Sequence, residues 1–216
     1  MFSGAGVLIF FNKHLIIFRE KKYNHYTEPG GTFDDKHTNI EETAKEELFE
    51  ETCGLFNIEH LQTKNNYFDV YYNKRKHKKH TFSKKYRVYI IDIVGKNKNL
   101  IPKMINGDFK SNLDMLTFLG AKNYYLETND VTIVDIHLLK DKIFSGDELS
   151  NSNIIKNTKN VYVNDINGKK IKIKKRLIHN LITMFTENDT IHLKPKKVKI
   201  KRIEDKKSGL VSYLLE

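Results

Sequence analysis

Apolar residues crowd into two short runs near the start of the chain. Gly6-Val7-Leu8-Ile9-Phe10-Phe11 and His14-Leu15-Ile16-Ile17-Phe18 are separated only by Asn12-Lys13. Both runs are rich in β-branched and aromatic residues, and two turn-forming residues between them predict an opening hairpin. A different period follows. Ile40, Ala44 and Leu48 recur every four residues, with no Pro or Gly from Asn39 to Cys53. That is a narrow apolar stripe on a helix. Thr38 or Asn39 serves as its N-cap, Glu41 and Glu42 suit the positive end of its dipole, and Gly54 stops it. Just upstream, Glu28-Pro29-Gly30-Gly31 reads as a tight turn where backbone approaches something closely.

Further strands are expected at Tyr67 to Tyr72, Tyr86 to Val94 and in the run Val131-Thr132-Ile133-Val134-Asp135-Ile136. Residues 104–126 are ambiguous, with a short helix expected near Leu113–Leu119; another short helix is expected from Leu138 to Phe144. Ser145 to Lys159 is polar and Asn/Ser-rich, a linker or loop by composition. Beyond it, Val161-Tyr162-Val163 and Lys170-Ile171-Lys172-Ile173 alternate around Asn167-Gly168, a strong hairpin signal. Apolar residues at 177, 178, 181, 182 and 185 then make a helical stripe. The tail from Lys194 to Lys207 is basic and partly alternating. The division expected is a core over 1–144 and a basic C-terminal extension over 145–216, a hairpin plus helix packed on that core.

Composition adds three limits. A chain of 216 residues can bury a good core as one unit. One cysteine excludes a disulfide framework and makes a reducing, cytoplasmic compartment the default. No apolar stretch approaches the roughly 20 residues a membrane span needs. His25, His37, His77 and His80 have no metal-site spacing and read as surface or loop residues.

The chemistry is carried by the acidic end of the first helix. Glu47, Glu50 and Glu51 stand at i, i+3 and i+4, on one face and one turn apart. Like charges so placed repel by about 0.2–0.5 kcal/mol per exposed pair. They also sit in the C-terminal half, where the helix dipole disfavours them. A divalent cation would offset both costs, and Mg²⁺ suits: it takes oxygen ligands, one or two of them carboxylates, the rest water and phosphate.

The stretch Gly31 to Leu55, GTFDDKHTNIEETAKEELFEETCGL, resembles the signature of the Nudix hydrolases, G-x5-E-x7-R-E-U-x-E-E-x-G-U with U a bulky aliphatic residue. Glu47-Leu48-Phe49-Glu50-Glu51 matches its core, Gly54-Leu55 its close, and Pro29-Gly30 what commonly precedes it. Three departures stand out. Thr38 occupies the place of the first Glu, after a loop one residue longer than the pattern. Glu46 occupies the place of the Arg that in this family usually orients a catalytic Glu, so Glu47 must be held by something else or be more mobile. Thr52-Cys53 inserts one residue before Gly54.

The resemblance implies an α/β (α+β) fold, a Nudix-type α/β/α sandwich with a mixed central sheet and a C-terminal hairpin and helix appended. It implies Mg²⁺-dependent attack of water on a diphosphate bond, with Mn²⁺ as the substitute ion. Glu47, Glu50, Glu51 and the Gly30 carbonyl would be metal ligands. Glu47 and Glu51 would be catalytic, with Glu127, just before the apolar run at 131–136, as the general base; a surface loop acid is the plain alternative for Glu127.

Formal charge is +11 despite the acidic helix. Such a balance attracts polyanions. The basic run with Lys74, Arg75, Lys76, Lys78, Lys79, Lys84, Lys85 and Arg87, beside Tyr71 and other aromatics, would track phosphates and stack bases. The plain alternative is compositional: Lys, Asn and Ile abound in proteins of A+T-rich genomes, such as those of large DNA viruses or protists, and in a virus the compartment would be the host-cell cytoplasm. Three functions follow. The leading one is hydrolysis of the mRNA 5′ cap with release of 7-methyl-GDP, capped RNA being the partner. The second is hydrolysis of a phosphorylated small molecule: nucleoside di- or triphosphates, dinucleoside polyphosphates, ADP-ribose or diphosphoinositol polyphosphates. The third is an inactive Nudix-fold RNA-binding protein, Glu46 marking lost catalysis.

Overall fold

The computed structural model describes residues 2–34, 36–73, 83–94, 100–145, 160–187 and 193–216. The opening hairpin forms as its pattern requires. Strands β1 (Phe2–Phe11) and β2 (His14–Glu20) pair antiparallel, with Phe11 opposite His14. Asn12 and Lys13 both take left-handed backbone, φ 49° and 66°, which suits a two-residue hairpin turn.

These two strands stay together for only three residue pairs, up to Ile9 and Ile16. Beyond that each takes a new neighbour. The strand β2 picks up β3 (Tyr26–Thr27), with Phe18 opposite Thr27. The strand β1 picks up β4 (Gly30–Thr32), with Gly6 opposite Gly30 and Ala5 opposite Gly31. Glu28-Pro29 bridges the opening. The expected tight turn at Gly30-Gly31 is therefore an extended strand. The close approach is real, because a Cβ on Gly30 would lie 2.3 Å from the Tyr86 hydroxyl and 2.6 Å from the Gly6 Cα.

Helix α1 (Ile40–Glu51) follows, capped by Asn39, whose side chain accepts from the Glu42 N–H. It ends through the inserted residue: Cys53 and Gly54 are both left-handed, φ 54° and 72°, and the Gly54 N–H returns to the Phe49 carbonyl at 2.8 Å. Strands β5 (Phe56–Asn57), β6 (Tyr67–Asn73) and β7 (Ser83–Ile93) come next. The strand β7 runs parallel to β1 and antiparallel to β6.

Helix α2 spans Leu100–Phe118, far longer than the short helix expected near Leu113–Leu119. Pro102 lies in its first turn, where the missing N–H has no partner to lose. A 3-10 turn, Asn123–Leu126, leads into β8 (Thr128–Asp135), which pairs with β2, and α3 (Ile136–Phe144) follows. The linker expected at 145–159 lies, but for Ser145, outside the described residues. The hairpin of β9 (Val161–Asn164) and β10 (Lys170–Ile173) extends the large sheet beyond β3. Helix α4 is Lys175–Glu187. The basic tail makes β11 (Lys196–Val198), added to β7, and β12 (Ile200–Glu204), which with β13 (Val211–Leu215) and β5 forms a separate three-stranded sheet. The C-terminal third thus contributes strands to both flanks of the large sheet.

Period-two alternation sends Val7, Ile9 and Phe11 to one face of that sheet and Leu8 to the other. On the first face they meet Ala44 and Leu48 of α1, Phe109 of α2 and Tyr213 of β13. On the second, Leu8 and Ile17 meet Leu139 of α3 and Leu177, Ile178 and Leu181 of α4. Helices therefore cover both faces of a mixed sheet, the α+β sandwich expected. No helix of the described residues is long and apolar enough to cross a membrane.

Candidate active site

The split between β1 and β2 places the Gly-Gly strand beside the acidic end of α1. Gly31 makes the contact feasible: a Cβ there would stand 2.0 Å from Glu47 Oε1. The Gly30 N–H donates to Glu51 Oε2 at 2.5 Å. Strand and helix are thereby joined at the carboxylates themselves.

Behind them lies a buried ionic network. The side chain of Glu28 is fully buried, and it accepts from Arg176 Nε at 2.9 Å, Asn180 Nδ2 at 2.8 Å and Thr27 Oγ1 at 2.7 Å. Arg176 also donates through Nη1 to the Gly30 carbonyl at 2.6 Å and through Nη2 to the Glu28 carbonyl at 2.9 Å. The Gly30 carbonyl, expected as a metal ligand, is thus a guanidinium acceptor. Asn180 is fixed in turn by Tyr72, whose hydroxyl donates to Oδ1 at 2.5 Å.

Electrostatics at the acidic face run one way. Burial, then the charge of Glu50, pushes Glu47 up to about 7, against the pull of Arg176 and with a further push from Glu127. Burial also pushes Glu51 up to about 8; Arg176 and the Gly30 N–H oppose it, and Glu47 adds to it. Glu50 is raised by burial and by the charges of Glu46 and Glu127. Glu127 itself is exposed at the end of the 3-10 turn. Its loop is fastened by its carbonyl, which accepts from Lys21 N–H at 2.8 Å, and by Thr128 Oγ1, which donates to the Glu51 carbonyl at 2.7 Å. Four sequence-predicted acids therefore act on one another at this face: Glu47, Glu50, Glu51 and Glu127.

Glu46, at the position of the family's arginine, points into a different set of contacts. It accepts from Lys36 Nζ at 2.9 Å and pairs with His37 Nε2. Burial pushes it up, but these two hydrogen bonds outweigh that and hold it below the usual carboxylate range. His37 is a loop residue, yet its ring is largely covered, with Thr43 Oγ1 at 3.0 Å from the other nitrogen.

The expected polyanion surface is only partly visible. Lys74, Arg75, Lys76, Lys78 and Lys79 lie outside the described residues. Lys84 and Tyr71 are exposed. Lys85 and Arg87 are both committed to Asp69, at 2.8 Å each, and Arg87 is sandwiched between the rings of Phe2 and Tyr67 at 4.6 and 4.1 Å. Asp69 offsets one of their two charges within the sheet.

Two residues central to the site, Arg176 and Asn180, are not among those the sequence singles out. A signal existed: they stand at i and i+4 beside the apolar positions 177, 178, 181 and 182 of α4, polar residues on the edge of a buried stripe.

The donor set fits Mg²⁺, being all oxygen. Among the described residues no three His, Cys, Asp or Glu side chains form a ready cage. An ion held by one or two carboxylates and completed by water and phosphate suits such an open face. Comparison with protein-family models and with curated proteins yields no match for this chain.

Proposed function

We propose that the protein is a Mg²⁺-dependent diphosphate hydrolase of the Nudix type, with capped RNA as its leading substrate class. The observation that carries this reading is the bond from Gly30 N–H to Glu51 Oε2, which locks the Gly-Gly strand to the acidic helix. On the helix so held, Glu47 and Glu50 lie within electrostatic reach of each other and of Glu127.

Glu47 and Glu50 would hold the ion, with Glu51 fixing the frame behind them. Bound there, it would neutralise phosphate charge and position water. A water held by Glu127 would attack phosphorus through its oxygen as the bridging P–O bond breaks, and the leaving phosphate would take the electron pair. Glu127 takes the proton from the water, and Arg176 keeps the Gly30 strand in place. Small phosphorylated molecules are the second reading, favoured by the commitment of Lys85 and Arg87 to Asp69, which reduces the positive charge left for an RNA backbone there.

The test is product analysis with Mg²⁺ and a panel: cap-labelled RNA, free cap dinucleotide, nucleoside triphosphates, ADP-ribose, dinucleoside polyphosphates and diphosphoinositol polyphosphate. Each is run beside Glu50→Gln and Glu51→Gln. Release of 7-methyl-GDP from capped RNA, lost in the variants, supports decapping. Turnover of one small molecule alone moves the reading to the second class. No turnover of any substrate overturns the hydrolase assignment.

A further inference from the structure

Two clefts meet at Tyr23. The first, of about 560 Å³, is lined by Glu20, Lys21, Lys22, Leu126 and Glu127, and Glu127, whose charge acts on Glu47 and Glu50, links it to the acidic face. The second, of about 390 Å³, continues from Tyr23 past Arg19 and His25 to Tyr162, Lys170 and Lys172 on the C-terminal hairpin.

Strand alternation builds this second cleft. Ile171 and Ile173 of β10 are buried in the core, so Lys170 and Lys172 share the opposite, outward face. Tyr162 is the cross-strand partner of Lys172, and Lys170 Nζ lies 5.3 Å from its ring centre. Tyr23 and Tyr162 are 56% and 43% exposed, so both rings present a face to solvent. Lys169 is taken by Asp130 and Lys174 by Glu20. Among the described residues Lys170 and Lys172 make no ion pair with a carboxylate; Arg19 Nε donates to the neutral Asn129 at 2.8 Å, and its charge acts on Asp130.

We propose that this groove binds the body of a single-stranded RNA whose 5′ phosphates reach the acidic face. Two separated, solvent-facing tyrosines suit stacking of unpaired bases, and unpaired cations between them suit the phosphate backbone. A duplex would offer no free base faces, and a mononucleotide would engage one ring and leave the other idle. The inference rests on the hydrolase reading for its direction, but the groove is tested without turnover.

The experiment is fluorescence anisotropy of the full chain with a labelled, uncapped single-stranded RNA of mixed sequence, in EDTA, over a range of salt. The variants are Lys170→Glu/Lys172→Glu, Tyr162→Ala, and the control Lys206→Glu/Lys207→Glu, which makes the same charge change on the turn of the separate three-stranded sheet. Losing two phosphate contacts should flatten the slope of log affinity against log salt by about 1.4. Tyr162→Ala should weaken binding about tenfold. The control should bind like the unaltered chain. All four proteins are checked for the same thermal transition. Equal weakening in the hairpin and control pairs, or no weakening in either, overturns the groove. Loss of RNA binding in the groove variants alone upholds it even if every diphosphate in the hydrolysis panel stays intact; that outcome sinks only the hydrolase reading.

Discussion

Arg176 Nη1 donates to the carbonyl of Gly30 at 2.6 Å, while the N–H of the same residue donates to Glu51. One peptide strand thus stands between a guanidinium from the last helix and a carboxylate from the first. Arg176 opposes the upward push on both Glu47 and Glu51 without touching either by a hydrogen bond.

Removing this arginine should be costly. Glu28 is fully buried, and Arg176→Ala would leave its charge unpaired. Breaking such a buried pair costs about 3–5 kcal/mol. Arg176→Lys should fall between, because an ammonium cannot serve Glu28 and the Gly30 carbonyl in the fork geometry of a guanidinium. Urea unfolding reads both variants. A loss under about 1 kcal/mol for the alanine variant would mean that Glu28 is satisfied by other means.

Gly31→Ala separates architecture from chemistry. The new methyl would overlap Glu47 Oε1, the far end of a flexible side chain, so the carboxylate moves and the strand stays. Hydrolysis should fall about 100-fold, the scale of displacing a positioned group, with the melting temperature changed by only a few degrees. Unchanged turnover would remove Glu47 from the reaction.

Stability should fall from mild acid to mild alkali when no metal is added. Glu47 and Glu51 bind protons in the folded chain up to about pH 7 and 8, against an ordinary value of 4.5 in the unfolded one. Their stabilising contribution is complete below about pH 4.5 and is lost as pH rises through 8, with upper bounds on the order of 3 kcal/mol for Glu47 and 5 kcal/mol for Glu51. Asp69 and Asp108, held low by Arg87, Lys85 and Arg202, work the other way but only at more acid pH. In EDTA the melting temperature should therefore peak near pH 5. Added Mg²⁺ should raise it more at pH 8 than at pH 5.5, since the ion takes ionised carboxylates. Equal increments at both pH values would argue against a carboxylate-bound ion.

Periodicity makes most of the fold legible, because the opening hairpin, the acidic helix and the β9–β10 hairpin each bury one face and so carry a pattern. Residues 100–112 hide their helix because Pro102 and Gly107 read as breakers, although a first-turn proline costs a helix nothing and a Cβ on Gly107 would meet no neighbour within 4 Å. In the site, the acids are legible from their i, i+3, i+4 spacing. Arg176 is not, since no local rule ties a residue in the last helix to a glycine 146 positions earlier. The same limit applies to Lys85 and Arg87: a basic run shows charge, while Asp69, which pairs with both, sits on the neighbouring strand.

Placing the arginine of the Nudix signature at position 46 should not help. Glu46 is held by Lys36 and His37, and an arginine there would face the Lys36 cation and lose both attractive contacts. For a partly exposed cluster the cost is about 1 kcal/mol, a fall of a few degrees in melting temperature. Glu46→Gln, which keeps an acceptor for His37, should lose less. Turnover should rise in neither variant, because Arg176 already supplies the positive charge next to Glu47 and Glu51. A tenfold gain in hydrolysis by Glu46→Arg would show instead that Glu47 is poorly held in the native chain, and that the charge of Arg176 does not stand in for the family's arginine.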